Sequence, residues 1–318
     1  MVNLLQTWEY GEAKQSEGWR VERFILQHGG PVAAVQMLSR RVPALGTIAR
    51  INRAPLIMSK DLPLGDAATH AIQWVRDELV KRGFTALSFA PELPANEATA
   101  AKLARAGFER AQAPAWASGL IDLTQDEVVR RRSIDRKWRN LLGKAERGGI
   151  AIETDATPEG VSRFMSHQHR FQSRKGFDGI ASGLVLALSR GDGDVRLSAL
   201  TAVVEDESVG GVLIAGHVNT ATYLLSWNTP EGRRRSVNYL LLWRAVEQCR
   251  SEGYRWFDLG GIDHHRTPGI AHFKAGLRPT PYTLVGEHWA FPKGLRSRIL
   301  RCGLVLRGQL PGREALRR

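Results

Sequence analysis

Hydrophobic residues along the chain follow two periods, one typical of strands and one typical of helices. Where apolar and polar residues alternate, successive side chains point to opposite faces, which predicts half-buried strands. Where apolar residues recur every three or four positions they share one face, which predicts amphipathic helices. Strands are predicted over 21–38, 46–58, 150–154, 195–206, 209–217, 221–227, 255–259 and 281–289, and helices over 127–147, 158–172, 182–190, 237–252 and 268–276.

Two segments of the chain resemble each other in the order and spacing of these elements. The first reads THAIQWVRDELVKRGFTALSFAP and is followed by AKLARAGF; the second reads NYLLLWRAVEQCRSEGYRWFDLGG and is followed by AHFKAGL. Each predicts an amphipathic helix, a turn of glycine and an aromatic residue, a short buried strand and a short helix. Gly83 and Gly107 are 24 positions apart, and Gly253 and Gly276 are 23 positions apart. We therefore predict a duplicated α/β module.

A chain of 318 residues is long enough for about two domains, each with its own core. Antiparallel strands followed by a helix and a returning strand indicate an α/β fold in which α+β mixed sheets carry helices on both faces. We predict an N-terminal module over residues 1–126, a basic bridging helix over 127–149, a C-terminal module over 150–292 and a basic helix and tail over 293–318.

Positive charge is concentrated in two segments. The chain has 45 Lys and Arg against 32 Asp and Glu, a net charge of +13. Residues 130–147 contribute +6 and residues 293–318 contribute +7, which together equal the whole excess. Concentrated positive charge attracts nucleic acids, anionic membranes and phosphate-rich ligands, although a solvated basic face is the simpler explanation for either segment alone. In the first segment, a row of arginines is predicted opposite the apolar face of the helix: Arg132, Arg136 and Arg139.

The second basic segment also has the pattern of an amphipathic helix. Its apolar stripe is flanked by arginines, and glycine and proline end it. We expect the stripe to dock on a core; the alternative is that the tail lies on an anionic membrane surface. The stripe consists of Leu295, Ile299, Cys302 and Leu306, and the flanking residues are Arg296, Arg298 and Arg301.

Other features of the sequence exclude several classes of protein. The sequence contains no run of 18 apolar residues, which excludes a membrane-spanning helix, and no pattern typical of a secretory signal. Two cysteines are too few for a disulfide framework, so we expect a cytoplasmic protein. The residues Asp263, His264, His265 and His272 do not have the spacing of zinc ligands, so no metal is predicted.

Several motifs, in order along the chain, resemble those of the Fem family of aminoacyltransferases. They are LLQTWEYGEAK near the start, RKWRNLLGKAERGG in the middle, SRKGF at 173–177, and FDLGGID followed by HFKAGL near the end. The resemblance implies two tandem modules like those of the GNAT acyltransferases. It also implies transfer of an amino acid from aminoacyl-tRNA to an amine of a peptidoglycan precursor, with aminoacyl-tRNA as co-substrate and no resident cofactor.

The resemblance also implies roles for individual residues. A lysine in a Phe-Lys-x-Gly setting is functional in the family, and Lys274 stands in this setting here. By the same likeness, Lys14 and Arg174 are expected to contact phosphates of the acceptor, and Tyr223 corresponds to a tyrosine of the cleft. Cations are suited to phosphate binding, whether as point charges or as bidentate guanidinium groups.

Acyl transfer to an amine passes through a tetrahedral oxyanion, which a nearby cation or N–H donor stabilises. We predict this role for Lys274. A turn of two glycines, Gly260 and Gly261, follows the buried strand and leaves backbone N–H groups for a substrate. Asp258 or Asp263 is a candidate acceptor for the proton of the attacking amine. The alternative is a tight turn in which an aspartate caps the next helix.

The start of the central helix in the second repeat bears on the acyl donor. Members of the GNAT superfamily bind the pyrophosphate of acyl-CoA on a glycine-rich turn at this place, where backbone N–H groups are exposed. Here Ser236 and Asn238 stand where glycines are expected, and their side chains would crowd a pyrophosphate. We therefore expect that CoA is disfavoured and that an RNA 3′ end contacts the preceding arginines; a solvent-exposed turn is the alternative. These arginines are Arg233, Arg234 and Arg235.

Three functions remain open from the sequence. The first is an aminoacyl-tRNA-dependent transferase that forms an amide on a peptide, a precursor or a small molecule. The second is an acyl-CoA-dependent N-acyltransferase of the GNAT superfamily. The third is a non-catalytic protein that binds RNA or phospholipid through its basic segments. The sequence does not identify the amino acid transferred, the acceptor or the oligomeric state.

Overall fold

The computed structural model describes residues 2–27, 31–58, 64–175 and 180–311, and the chain divides into two compact units. We call Tyr10–Trp116 with Thr283–Arg318 the first unit, and Met1–Glu9 with Ala117–Tyr282 the second unit. These limits differ from the boundaries at 126, 149 and 292 that the sequence suggested.

Up to the end of the first basic segment, the chain contains seven strands and five α-helices within the described ranges, and an eighth strand follows. They are α1 (Trp8–Ser16), β1 (Arg20–Gln27), β2 (Pro31–Val42), β3 (Gly46–Asn52), β4 (Leu56–Ile57), α2 (Leu64–Lys81), β5 (Ala86–Ala90), α3 (Glu97–Arg105), β6 (Glu109–Arg110), β7 (Ala117–Asp122), α4 (Glu127–Ser133), α5 (Arg136–Glu146) and, directly after it, β8 (Ala151–Asp155).

After β8, two helices lead to a meander of three consecutive strands. Further helices and short strands follow, and the last described element is a helix. The elements are α6 (Pro158–Lys175), α7 (Ser182–Ser189), β9 (Arg196–Val204), β10 (Glu207–His217), β11 (Thr220–Asn228), α8 (Pro230–Arg234), α9 (Val237–Ser251), β12 (Trp256–Asp258), α10 (Pro268–Ala275), β13 (Thr280–Thr283), β14 (His288–Ala290) and α11 (Leu295–Leu306). No helix within the described ranges combines the length and the apolar composition that a membrane span requires.

The sheet of the first unit has the strand order β1-β2-β3-β5-β14-β6, with β4 paired to β2. Its strand pairs are antiparallel except β3 and β5, which are parallel. The apolar face of α2 contributes Ile72, Val75 and Leu79 to a core that also contains Ile51 and Phe89 from the sheet. The helical period predicted for this segment therefore identifies its buried face.

The sheet of the second unit has the strand order β13-β7-β12-β11-β10-β9-β8. Strands β11 and β12 are parallel, whereas the pairs β7–β12, β10–β11, β9–β10 and β8–β9 are antiparallel. Helix α9 buries Leu241, Leu242, Trp243 and Val246 in the core of this unit. Helix α5 packs beside α9, with Trp138 buried in the same core.

Two short strands lie in sheets other than those predicted. Strand β7, placed in the N-terminal module by the sequence, pairs with β12 in the second unit, where Asp122 lies opposite Trp256. The single strand predicted over 281–289 is two strands. Of these, β13 belongs to the second sheet and β14 to the first, where His288 lies opposite Phe89. The chain therefore crosses from one unit to the other twice more than expected.

The first basic segment forms two helices rather than one. Helix α5 starts anew because the carboxylate of Asp135 accepts hydrogen bonds from the backbone N–H groups of Lys137 (2.9 Å) and Trp138 (3.3 Å). An aspartate in this position is a favourable N-cap. Both helices lie in the second unit, so the prediction of a separate bridging helix over 127–149 is replaced by a helix pair within that unit.

Helix α11 packs on the first unit by a face other than the predicted one. Ser297 and Leu304 are its buried residues, while Leu295, Ile299 and Leu306 of the predicted docking stripe are exposed. The apolar period identifies the stripe, but an isolated stripe does not reveal whether a core or solvent faces it.

Candidate active site

The parallel strands β11 and β12 of the second unit separate part of the way along their length. They are paired over three residues only, and Thr222 opposite Asp258 is the last pair. On its other side, β11 has a bulge: Leu213 lies opposite Leu225 and Ile214 opposite Tyr223, so that one residue of β11 has no partner. A bulge turns a strand and leaves backbone groups outside the ladder. We call the place where this pairing ends, beside the bulge, the opening.

A glycine turn brings the end of β12 close to β11 at this opening. Gly260 has a φ of +68°, and a Cβ atom there would collide with the carbonyl oxygen of Tyr223. Only glycine satisfies both the left-handed backbone and the close approach. The backbone N–H of Gly260 donates to Oδ1 of Asp258 at 2.8 Å. The predicted Gly-Gly turn is thus part of the opening, and Gly261 is its exposed second residue.

Asp258 is buried and receives hydrogen bonds from three groups. Besides the N–H of Gly260, the hydroxyl of Ser118 donates to Oδ1, and the hydroxyl of Tyr282 donates to Oδ2 at 2.6 Å. These donors come from two strands and the glycine turn, and they fix the orientation of the carboxyl group. The geometry therefore favours a role for Asp258 in holding the turn, and the predicted role as proton acceptor has no direct support in these contacts.

Lys274 extends from α10 toward the same turn and is only 4% exposed. Its Nζ donates to the carbonyl oxygen of Gly261 at 2.8 Å and lies 5.0 Å from the centre of the Tyr223 ring. Burial lowers the pKa of Lys274 to about 8, and the charge of Asp258 opposes this shift. No carboxylate in the described part of the chain forms an ion pair with Lys274, so a buried cation lies beside the opening.

Tyr223 forms one wall of the opening, beside the ammonium group of Lys274. Burial raises the pKa of Tyr223 to about 12, so its hydroxyl remains protonated at neutral pH. Asp263 lies further along the loop, where its Oδ1 accepts hydrogen bonds from the N–H groups of His265 (2.9 Å) and Arg266 (2.8 Å). The hydrogen bond from Arg266 lowers the pKa of Asp263, which makes this carboxylate a turn cap and a weak base.

A second cleft of about 220 Å³ lies between the ends of α5, α9 and α10, and we call it the aromatic cleft. Trp138 stacks on Phe273 with ring centres 6.0 Å apart, and Tyr239 meets both rings edge-on at 5.0–5.1 Å. Lys137 and Arg278 lie among its lining residues. The sequence analysis missed this cleft, because the helical spacing of Trp138 is equally typical of a core position.

The predicted row of arginines is divided by the break between α4 and α5. Arg132 and Arg136 are exposed and form no ion pair within the described ranges. Arg139 is used locally, because its Nη1 donates to the carbonyl oxygens of Arg131 (3.2 Å) and Arg132 (3.0 Å) at the end of α4. Carbonyl groups at the end of a helix are often satisfied by such a side chain. Two of the three predicted arginines therefore remain available to a ligand.

The arginines before α9 are also divided. Arg234 and Arg235 both form ion pairs with Glu231, whereas Arg233 forms none among the described residues; Arg233 and Arg234 are both exposed. Ser236 is buried at the N-cap of α9 with a φ of 62°, and its side chain makes no capping hydrogen bond. The backbone at this position is therefore left-handed, although the residue carries a side chain.

The residues expected to contact the acceptor lie in two places. Arg174 lines a cleft of about 480 Å³ in the second unit, together with His167 and Arg170 of α6. Lys14 belongs to the first unit, where its Nζ forms an ion pair with Glu17 at 2.6 Å. The last residues of the SRKGF motif, 176 and 177, lie outside the described residues.

The site thus contains one group of residues that the structure brings together and others that remain apart. Lys274, Asp258 and Tyr223 meet at the opening with the two glycines. The predicted arginines lie on α4, α5, α6 and α8, with Arg235 at the C-cap of α8. In the described part of the chain, no three potential metal ligands come together.

A family model for an acetyltransferase (GNAT) domain matches residues 129–275, which include the separating strands and Lys274. This match covers less than half of the chain, and it shows a GNAT-like domain in the part that holds the candidate site. No curated protein sequence matches the chain.

Among solved structures, FemX has a TM-score of 0.75 at 15% identity, over 94% of this chain and 94% of that chain. L-PGS from Bacillus licheniformis has a TM-score of 0.53 at 15% identity, over 96% and 98% of the two chains. A tandem GNAT protein from the clavulanic acid biosynthesis pathway has a TM-score of 0.50 at 17% identity, over 87% and 85%. At these identities the likeness shows the fold. It confirms the two tandem GNAT-like modules and the resemblance to the Fem family.

Proposed function

We propose that this protein transfers an aminoacyl group from aminoacyl-tRNA to an amine of a peptidoglycan precursor or of another peptide or small molecule. The observation that carries the proposal is the position of Lys274, a buried cation without an ion-pair partner among the described residues, beside the opening between β11 and β12. A buried cation is costly unless a ligand or a reaction uses its charge.

In the proposed reaction, the amine nitrogen attacks the carbonyl carbon of the aminoacyl ester. A C–N bond forms, the C–O bond to the ribose breaks, and the ribose oxygen receives the proton that the amine loses. An ammonium group has three donors, and the carbonyl of Gly261 occupies one of them in Lys274. The remaining donors are suited to the negative charge that develops on the carbonyl or ribose oxygen, because electrostatic stabilisation is strong where water is excluded.

The aromatic cleft is suited to bind a nucleotide of the aminoacyl-tRNA donor. Bases stack on aromatic rings with little sequence preference, and the rings of Phe273 and Tyr239 lie in the lining of this cleft. Lys137 lies beside them and is suited to phosphates, as is Arg278, which also forms an ion pair with Asp135 at 3.7 Å. Phe273 directly precedes Lys274 in the chain, so the same turn of α10 contributes to the cleft and to the opening.

The acceptor has a separate candidate site in the second unit. The cleft with Arg170 and Arg174 combines two guanidinium groups with the ring of His167, which stacks on Trp227 at 4.5 Å. Such a surface suits the phosphates of a nucleotide-linked or lipid-linked precursor. Lys14, which is also predicted to contact the acceptor, belongs to the first unit.

An acyl-CoA-dependent N-acyltransferase is the second candidate function. The observation in its favour is the start of α9, where Ser236 provides no side-chain cap for the backbone N–H groups, although that of Tyr239 donates to the carbonyl oxygen of Ser236 at 3.1 Å. The side chain of Ser236, which is buried at this position, counts against a close approach of the diphosphate. A protein that only binds RNA or phospholipid is the third candidate.

Donor competition separates these functions. Purified protein is incubated with a pool of charged tRNAs, acetyl-CoA and candidate amines, with and without prior RNase digestion, and amides are identified by mass spectrometry. We expect amide formation from charged tRNA that RNase abolishes. Transfer that survives complete digestion and requires acyl-CoA would establish the second function. RNA binding without turnover from either donor would establish the third.

A further inference from the structure

The exposed face of α11 carries an unusual concentration of apolar side chains. Leu295 is 74% exposed, Ile299 52% and Leu306 88%, and Cys302 between them is also exposed. These four residues, which we call the apolar stripe, lie at positions i, i+4, i+7 and i+11 and therefore on one face of the helix. Single exposed apolar residues are common, but a continuous stripe indicates a surface that is covered in use.

The opposite face of α11 holds the helix on the first unit. The hydroxyl of Ser297 donates to the buried carbonyl oxygen of Thr85 at 2.8 Å. Arg301 forms an ion pair with Glu109 at 2.8 Å, and Leu304 is buried. The apolar stripe therefore faces outward on a helix that is docked by other residues, and no rotation of the helix can bury it without breaking these contacts.

Cations flank the apolar stripe on both sides. Residues 293–311 contain five basic residues and no acidic residue. Arg301 is paired with Glu109, whereas the other four are exposed and have no carboxylate partner in the described part of the chain. At 100° per residue, Arg296 and Arg298 lie on opposite sides of the apolar stripe, near the start of the helix. The four are Lys293, Arg296, Arg298 and Arg307.

This combination selects one class of partner. A second copy of the chain would bring two rows of unpaired cations together around a narrow apolar contact, which like charges oppose. A soluble polyanion such as RNA would leave the apolar side chains in water. An anionic bilayer satisfies both features, because the headgroups neutralise the cations while the apolar side chains enter the boundary between headgroups and acyl chains.

We propose that α11 is a peripheral docking surface for membranes rich in anionic phospholipids. A helix of 12 residues is about 18 Å long at 1.5 Å per residue, so it lies in the plane of the membrane surface and does not cross it. The proposal is independent of the acyl donor, since it rests on residues of the first unit alone.

Vesicle flotation of the full chain tests the proposal. The vesicles contain either phosphatidylcholine alone or a 7:3 mixture of phosphatidylcholine and phosphatidylglycerol, at about 100 mM salt. Two variants are compared with the wild type: the stripe variant Leu295→Ser/Ile299→Ser/Leu306→Ser and the charge variant Arg296→Gln/Arg298→Gln. A control variant, Val218→Ser/Ile270→Ser, removes exposed apolar residues elsewhere.

We expect the wild type and the control variant to float with anionic vesicles at least tenfold more than with neutral ones. Both test variants should lose at least tenfold of this binding while their melting temperatures remain unchanged, since the substituted side chains are exposed. Equal binding to both kinds of vesicle would overturn the proposal. So would full binding by the stripe variant, which indicates a polyanion surface, or a dimer of the wild type that only the stripe variant abolishes.

Discussion

The two units repeat the same order of elements, but their central pairs of parallel strands end differently. In the second unit, β11 and β12 are paired over three residues and separate after Thr222 and Asp258. In the first unit, β3 and β5 are paired over five residues, through Asn52 and Ala90. The repeat therefore preserves the fold in both units, whereas the parallel pairing is shorter in the second.

The first unit closes the equivalent place with hydrogen bonds and an ion pair. Beyond the last strand pair, the N–H of Arg53 donates to the carbonyl of Ala90 at 2.7 Å, and the N–H of Glu92 donates to that of Ala54 at 3.0 Å. The guanidinium of Arg53 binds both carboxylate oxygens of Glu92. The counterpart of Lys274 in this repeat is Arg105, which is exposed.

The two units differ in two features at the end of the parallel strand pair. The second unit has a glycine where the chain must pass close to β11, and it places a buried cation there without a carboxylate partner in the described residues. In the first unit, the cation at the end of the strand pair is neutralised by Glu92. The guanidinium group in the first unit is thus paired with a carboxylate, whereas the ammonium group of Lys274 in the second unit donates to a backbone carbonyl.

The largest effect on stability is expected from removing the carboxylate that pairs with Arg53 in the first unit. Glu92→Gln leaves the buried guanidinium of Arg53 without its partner carboxylate, which is expected to lower the free energy of unfolding by roughly 3–5 kcal/mol. The measurement is urea unfolding, and transfer per folded molecule should not change. The matched variant Glu12→Gln, which breaks the exposed pair with Arg23, should cost less than about 1 kcal/mol. Equal losses of unfolding free energy in the two variants would contradict a stabilising role for the buried pair of Arg53 and Glu92.

Lys274→Met is expected to act on stability in the opposite direction. The pKa of Lys274, about 8, lies below its ordinary value of 10.5, so the unfolded chain binds the proton more tightly. The resulting cost, roughly 3 kcal/mol, is complete below pH 8 and disappears as the pH rises toward 10.5. The variant should therefore melt at a higher temperature at pH 7, and the difference should shrink between pH 8 and 10.5. A lower melting temperature at pH 7, with Lys81→Met as an exposed control, would contradict this account.

Gly260→Ala tests the close approach of the two strands. An alanine there has the strain of a positive φ, about 1–2 kcal/mol, and an added collision with Tyr223 that costs roughly a further 1–3 kcal/mol. Gly253 also has a positive φ, but a Cβ atom there meets nothing within 4 Å, so Gly253→Ala isolates the strain. Thermal unfolding of both variants gives the difference. Identical destabilisation would show that the opening tolerates a side chain.

The smallest effect is expected from the exposed arginines of the second unit. If Arg132 and Arg136 contact tRNA phosphates, Arg132→Ala/Arg136→Ala should reduce the slope of log affinity against log salt by roughly 0.7–0.9 per contact. Arg163, which is paired with Asp155 and belongs to no predicted site, provides the control, and Arg163→Ala should leave the slope unchanged. Filter binding at four salt concentrations measures both. The same slope in the double variant as in the wild type would place this surface away from the RNA.

Local sequence patterns predict the helices and strands of this fold better than they predict which strands pair with one another. The repeat, the mixed sheets and the meander follow from hydrophobic periods, which depend on neighbouring residues. The sheet that β7 or β14 joins depends instead on residues far along the chain, because strands of six and three residues have no pattern that specifies a sheet. The break before α5 has a local signal, the N-cap Asp135, which the basic pattern around it obscures.

The sequence predicted several residues of the candidate site, but it did not predict their burial or their hydrogen bonds. The position of Lys274 beside the glycine turn follows the motif order, but its burial and the hydrogen bonds of Asp258 arise from three separate elements. The aromatic cleft escaped prediction because it joins Trp138 and Phe273, which are 135 positions apart. Such a juxtaposition has no signature in a single sequence.

The most direct test of the central claim, that the charge of Lys274 acts on the reacting ester, is the single-turnover rate of amide formation from bound aminoacyl-tRNA. Lys274→Met is compared with Arg105→Met, its counterpart in the closed unit. Loss of one donor to a developing oxyanion typically lowers the rate by about 10²–10³. The account predicts this loss for Lys274→Met, with unchanged tRNA affinity, and a wild-type rate for Arg105→Met. A wild-type rate for Lys274→Met would contradict it.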